Sequence, residues 1–109
     1  MRSLLHDGER RLLEVVRYSI PAANRASFLR AMEEVRRVRL RGGAAHWRLY
    51  EDVAHPERWV ELWVVESWAE HLREDSRHTG ADFAALARAA ALHQGDKPPE
   101  AARYVDVTG

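Results

Sequence analysis

The hydrophobic pattern is densest between Arg58 and Arg73, where an extended segment with apolar residues on both sides runs directly into a helix. Side chains alternate across a strand, so one side of residues 59–67 carries Trp59, Trp63 and an acid, and the other carries valines and a leucine. Helices of the same chain can cover only one sheet face. The pattern therefore predicts helices on one face and a second copy of the chain on the other, against the tryptophan row.

Turn and cap residues divide the rest of the chain into a regular order of elements. Pro21 ends a first strand, Gly42-Gly43 ends an amphipathic helix, and a turn at residues 55–57 joins two strands as a hairpin. Ser67 has the Ser-x-x-Glu spacing of a helix capping box, and Thr79-Gly80 interrupts the helix that follows. The predicted elements are strands over 12–20, 45–53, from 59 and over 102–107, a helix over 22–40, and a helix from 67 that resumes over 81–93.

This order matches the split βαβ arrangement called ferredoxin-like. We therefore predict an α+β, ferredoxin-like βαββαβ domain over residues 12–109, with a broken second helix and an antiparallel sheet, after an N-terminal extension over 1–11. A monomer that exposed the second sheet face would tend to aggregate. The domain is therefore expected to form a homodimeric α/β barrel.

Composition and charge exclude several partners and chemistries. The 109 residues include 17 basic and 17 acidic side chains, a balance that argues against a nucleic acid partner or an anionic lipid surface. Cysteine is absent, which excludes disulfides, thiolate nucleophiles and Cys-ligated metals. No segment has the length and apolarity of a signal peptide or a membrane span, so we expect a cytoplasmic protein without direct membrane insertion.

The strand-to-helix junction over residues 65–72, VESWAEHL, and the order of elements resemble the dimeric α/β-barrel superfamily that includes antibiotic-biosynthesis monooxygenases. A second resemblance, to the soluble C-terminal domain of major-facilitator exporters of the transmembrane secretion effector group, covers nearly the whole chain. It rests on the Pro56-Glu57-Arg58 turn, residues 65–73, and Leu92-His93. Those domains have no established catalytic residues, so the resemblance implies a fold more than a reaction. The exporters' membrane part is missing here, so we expect this domain to act alone or in trans.

His71 is the candidate for acid–base chemistry. The resemblance to the monooxygenase superfamily places it at the start of the helix that lines the pocket between sheet and helices, where an imidazole can donate a hydrogen bond or act as a base. A structural capping role is the alternative. His71, Asp75 and His78 would share one face of an unbroken helix, but nothing fixes a third strong ligand. Neither a metal nor a cofactor is therefore predicted.

The aromatic residues have two interpretations. Trp47, Trp59, Trp63 and Trp68 could enclose a flat ligand, or Trp59 and Trp63 could fill the dimer barrel while Trp68 packs the helix onto the sheet. Glu61 lies on the same strand face as two tryptophans and needs a cation or a proton there. Arg17 or Arg48 is the expected cation, and a structural ion pair across the dimer interface is the alternative to a functional carboxylate.

Two functions follow from these residues. The leading hypothesis is a small dimeric protein that binds an aromatic or amphipathic molecule as an accessory or sensing domain related to exporter tails. The alternative is a cofactor-independent monooxygenase acting on a phenolic or quinoid compound, with His71 as the base. The predicted ligand-binding residues are Trp47, Tyr50, Glu61, Trp63 and Trp68, with Tyr50 and Trp68 as walls beside His71 in the catalytic alternative.

Overall fold

The computed structural model describes residues 10–108, which form the predicted order of strands and helices. The predicted extension over 1–11 therefore lies outside the described residues except for its last two. The elements are β1 (Leu12–Ser19), a 3-10 turn (Ala22–Asn24), α1 (Arg25–Arg41), β2 (Ala45–Glu51), β3 (Arg58–Val65), α2 (Trp68–Glu74), a second 3-10 turn (Asp75–Arg77), α3 (Gly80–Ala91) and β4 (Glu100–Val105).

All strand pairs are antiparallel, and the strands lie in the order β2-β3-β1-β4. This confirms the ferredoxin-like fold class and the hairpin between β2 and β3. None of the helices within residues 10–108 combines the length and apolarity that a bilayer crossing requires.

The break in the second half of the chain falls where the Thr79-Gly80 pair predicted it, but it is built differently. Thr79 caps α3: its hydroxyl accepts from the Asp82 amide at 3.2 Å, and the Asp82 carboxylate accepts from the Thr79 amide at 3.1 Å. The Thr79 amide, and then Arg41, hold the pKa of Asp82 below its usual range. A second capping box therefore starts α3, where the sequence pattern had indicated only an interruption.

The tryptophans of β3 face the helices, so their predicted place in an interface between copies was wrong. Trp59 packs against Phe28 of α1 with ring centroids 5.4 Å apart. Trp63 is 3% exposed and lies beneath the Arg39 guanidinium, also from α1. There are two physical reasons. The indoles fill the layer between sheet and helices, and Glu61, which lies between them on β3, can reach the guanidinium of Arg39 only on this side.

The other sheet face is apolar at its centre and carries no described helix. Alternation along the paired strands places Val60, Leu62 and Val64 of β3 beside Leu13 and Val15 of β1 on this face. Except for Val15, these side chains are only partly buried. Branched aliphatic residues, and not tryptophans, therefore form the face that was expected to need a second copy; we name it the open face.

Candidate functional site

A cavity of about 460 Å³ lies between the sheet and α2 and is lined by two buried acids, Glu14 and Glu74. A larger groove of about 730 Å³ opens at the other end of β1, beside the Lys97–Glu100 segment. The smaller cavity is the better candidate site because acids, bases and an indole converge on it. Its lining side chains include Glu14, Val16, Arg39, Trp63, His71, Glu74, Ala101 and Arg103.

His71 reaches this cavity because α2 begins at a defined place. The Ser67 hydroxyl accepts from the Glu70 amide at 3.1 Å, which satisfies one of the free amides of the first turn. This confirms half of the predicted capping box; the Glu70 carboxylate instead pairs with Arg73 and Arg77. Those two arginines hold the pKa of Glu70 below its usual range.

Two glutamates flank His71. Its Nδ1 lies 3.5 Å from Glu14 Oε2 and 3.7 Å from Glu74 Oε2. Glu14 comes from β1 and is held by Arg103 of the neighbouring strand, with Arg103 Nε 2.5 Å from Glu14 Oε1. Two elements, β1 and α2, therefore bring one imidazole and two carboxylates to the same wall of the cavity, and β4 adds Arg103.

Gly42 allows α2 to lie this close to the end of α1. A Cβ at this position would be 3.1 Å from Glu74 Cγ and 3.1 Å from His78 Nε2, which is too tight without a shift. The following Gly43 has φ +106°, a backbone conformation that favours glycine. The two glycines were predicted to end the helix, and the structure shows that they also make room for the site.

Two polar atoms that line the cavity region are buried without a hydrogen-bond partner among the described residues. They are Trp63 Nε1 and His71 Nδ1. Leaving such a group unsatisfied costs about 1–3 kcal/mol. A bound molecule that offered an acceptor to the indole and a polar group to the imidazole would remove both costs.

Glu61 has a structural role in this chain. It is 0% exposed and accepts hydrogen bonds from Tyr18 Oη at 2.9 Å, from Trp47 Nε1 at 2.9 Å and from Arg39 Nε at 3.0 Å. The expected partners Arg17 and Arg48 were wrong, because both lie on the open face. A carboxylate with this many donors is fully satisfied by the protein and has little to offer a ligand.

Both Tyr18 and Arg39 keep their protons in this cluster. Burial, and then the neighbouring Glu61 carboxylate, raise the pKa of Tyr18, so the phenol keeps its proton. Burial alone would lower the pKa of Arg39, but the Glu61 carboxylate outweighs it and the pKa is raised. The Arg39 guanidinium also lies 4.0 Å from the centre of the Trp63 ring, a cation–π distance. Arg39 therefore joins the Glu61 cluster to the cavity wall.

The structure separates the predicted site residues into three groups. His71 and Trp63 line the cavity, and Trp68 lies beside it with its ring centroid 5.3 Å from that of His71. Trp47 belongs to the Glu61 cluster. Tyr50 is 54% exposed on the open face, so within one chain it cannot form a wall beside His71.

Sequence reasoning missed Glu14, Glu74 and Arg103 as parts of the site. The predicted helical face of His71, Asp75 and His78 depended on an unbroken helix, but α2 ends at Glu74. The available signal for Glu14 was an acid within an otherwise apolar strand. Nothing in the local pattern indicated that Arg103, 89 residues later, would pair with it.

Comparison with protein-family models matches residues 4–108 to the model described as transmembrane secretion effector. Solved structures show a similar fold over almost the whole chain. A Caulobacter crescentus CB15 protein assigned to the antibiotic biosynthesis monooxygenases has a TM-score of 0.75 at 14% identity, covering 94% of this chain and 95% of that chain. These matches confirm both resemblances drawn from the sequence.

Two further solved structures have the same fold. A mutant of SnoaB, a cofactor-independent oxygenase from Streptomyces nogalater, has a TM-score of 0.72 at 13% identity and covers 91% of this chain and 95% of that chain. A conserved protein from Methanosarcina mazei Go1 has a TM-score of 0.73 at 12% identity and covers 92% and 96%. Identities this low indicate a shared fold and no shared activity. A comparison with curated proteins gave no match.

The buried ion pair between Arg39 and Glu61 gives a stability prediction. Arg39→Met should lower the free energy of unfolding by about 3–5 kcal/mol, because it leaves a buried carboxylate without its cation. Urea unfolding followed by circular dichroism measures this change. Arg37→Met, at an exposed position of the same helix, should stay within about 0.5 kcal/mol of the parent protein.

A double variant separates charge from packing in this prediction. Adding Glu61→Gln to Arg39→Met removes the unpaired charge while keeping an acceptor for Tyr18 and Trp47, so part of the lost stability should return. If Arg39→Met alone costs less than about 1 kcal/mol, the range of an exposed ion pair, the role assigned to this pair is wrong.

Proposed function

The chain belongs to the transmembrane secretion effector family, and we propose that it binds a small aromatic or amphipathic molecule in the cavity beside His71. In this proposal it is an accessory or sensing domain related to exporter tails, acting in the cytoplasm, alone or with an exporter in trans. The observation that carries the proposal is that the side chains of Trp63 and His71 line the same cavity, while their Nε1 and Nδ1 atoms are buried without a hydrogen-bond partner among the described residues.

The chemistry of the lining suggests which molecules fit. A volume of about 460 Å³ falls within the range of small-molecule sites, about 300–1,000 Å³. The Trp63 N–H requires an acceptor such as a carbonyl or phenolic oxygen, and the indoles of Trp63 and Trp68 offer flat apolar surface. The charge of Glu14 is offset by Arg103 and Glu74 lies near Arg39, so the site favours a neutral or amphipathic molecule over a strongly charged one.

Filling the cavity should abolish this binding. A panel of phenolic and quinoid aromatic metabolites should give at least one saturable change in tryptophan fluorescence and a matching thermal shift. Ala101→Phe adds a ring at an exposed position of the cavity wall and should weaken binding at least about tenfold, about 1.4 kcal/mol, because the ring would occupy space that the ligand needs.

Ala87→Phe, at an exposed position of α3, is the matched control and should bind like the parent protein. Circular dichroism checks that both variants are folded. A flat response of the parent protein across the whole panel, or equal binding by Ala101→Phe, would count against the proposed site.

A second candidate function is cofactor-independent oxygenation of a phenolic or quinoid compound. What favours it is the fold shared with a cofactor-independent oxygenase together with an imidazole at the cavity. His71 would remove the phenolic proton, the resulting phenolate would add O₂ at a ring carbon to form a hydroperoxide, and loss of water would leave a quinone, so that the substrate itself is the reductant. Trp68 lies beside His71 and would help to hold the ring.

Oxygen uptake distinguishes the two functions. If the chain is an oxygenase, an aromatic compound that binds should cause substrate-dependent oxygen consumption, and His71→Ala should reduce the rate by about 100-fold or more, the scale of lost general base catalysis. His55→Ala, at an exposed histidine, should retain the full rate. Binding without oxygen consumption would leave the binding function and reject the oxygenase.

We also propose that two copies pair through the open face. Its apolar centre, with Val60, Leu62 and Val64 beside Leu13, has no covering helix among the described elements. Arg17, Arg48 and Tyr50 lie at its edges, as in interfaces with an apolar centre and a polar rim. The tryptophans are not needed for this pairing, in contrast to the interface expected from the sequence.

Leu62→Lys should convert the dimer to a monomer, because pairing would bury a charge at the centre of the open face. Sedimentation velocity at micromolar concentration measures the change. Leu72→Lys, at a leucine of α2 that is 60% exposed, should leave the dimer intact. A parent protein that sediments as a monomer would contradict the proposed pairing.

A further inference from the structure

The two glutamates and the histidine at the cavity have the spacing of metal ligands. The three candidate atoms are His71 Nδ1, Glu14 Oε2 and Glu74 Oε2, and all lie within 4.8 Å of one another. Two ligands about 2.1 Å from a tetrahedral ion are about 3.4 Å apart. The observed separations of 3.5 and 3.7 Å from Nδ1 need only a small adjustment to meet this geometry.

The three groups are held before any ion binds. Glu14 and Glu74 have side-chain exposures of 9% and 7%, and each comes from a different element. Arg103 donates from Nε to Glu14 Oε1 and, at 3.4 Å, from Nη2 to Glu14 Oε2, the oxygen that also faces His71, which is the arrangement of a ligand oriented by an outer partner. His71 Nδ1 is buried and has no hydrogen-bond partner among the described residues, so in the tautomer with the proton on Nε2 its lone pair would face the ion.

The nearby cations weaken the site without abolishing it. Arg39 also lines the cavity, but its charge is offset by Glu61. Arg103 pairs with Glu14 and Glu74 helps to raise the pKa of Arg39, so the charges of Glu14, Glu61, Glu74, Arg39 and Arg103 sum to one negative charge. A divalent ion would leave one positive charge in excess, which an anionic oxygen in the fourth position would neutralise.

We propose that Glu14, His71 and Glu74 bind a divalent transition-metal ion, with a fourth position that opens to the cavity. One imidazole and two carboxylates at near-tetrahedral separation suit Zn²⁺. Three protein ligands with an open fourth position are typical of sites that bind a further molecule through the metal. The inference goes beyond the proposed function, because the ion needs no organic ligand in order to bind.

Cobalt is the direct probe, because tetrahedral Co²⁺ absorbs strongly in the visible range and Zn²⁺ displaces it. The chain is prepared without an oligohistidine tag, dialysed against a chelator and titrated with Co²⁺. We expect saturation at one equivalent per chain and loss of the absorption on addition of Zn²⁺. Glu74→Gln, which keeps the shape of the side chain, and His71→Ala should each abolish the absorption.

The control is a histidine–carboxylate pair on the surface. His55 Nδ1 lies 3.8 Å from Asp52 Oδ2 at an exposed turn, so it is the place where an ion would bind adventitiously. His55→Ala should keep the cobalt absorption. No saturable absorption in the parent protein, retention in folded Glu74→Gln, or loss in His55→Ala would each overturn the metal site, and none of these outcomes bears on aromatic binding by the metal-free protein.

Discussion

The structure depends on the satisfaction of one buried carboxylate. Glu61 has no exposed surface, and an isolated charge in that position would be too costly to keep. Its donors come from three elements, Tyr18 on β1, Trp47 on β2 and Arg39 on α1. Satisfying Glu61 therefore requires that the helix lie across the sheet in one register. The same contact decides which side of β3 faces the helices.

The order of elements could be predicted from local signals, but the face of β3 could not. Pro21, the glycine pair after α1 and Ser67 mark element ends whatever the tertiary structure is, because they act through their own backbone geometry. Both sides of β3 are apolar, so alternation gave no preference. The choice rests on Arg39, which lies 22 residues before Glu61 and stands beside other arginines near the end of α1, where no local signal distinguishes it.

The candidate site was only partly predictable for a related reason. His71 belongs to a local junction with a recognisable sequence, so its place at the cavity could be anticipated. Glu14 and Arg103 meet because β1 and β4 are neighbours in the sheet, and only the topology establishes that. The metal-binding interpretation required a helix unbroken to residue 78, but α2 ends at Glu74, and Glu74 itself is the acid on α2 that lies beside His71. The local sequence pattern therefore indicated the position of His71, whereas Glu14, Glu74 and Arg103 lie near it only because of the tertiary structure.

The cavity and the open face lie on opposite sides of the same strands. The residues of the candidate ligand site are therefore separate from those of the proposed pairing surface, whereas the sequence pattern had placed the tryptophans in both. On β1, Glu14 faces the cavity while Leu13 and Val15 face outward. Pairing through the open face would therefore add no side chain to the cavity of either copy. The cavity is bounded by Arg39 and Trp63, whose positions already follow from the Glu61 cluster. Its shape is consequently a property of the single chain.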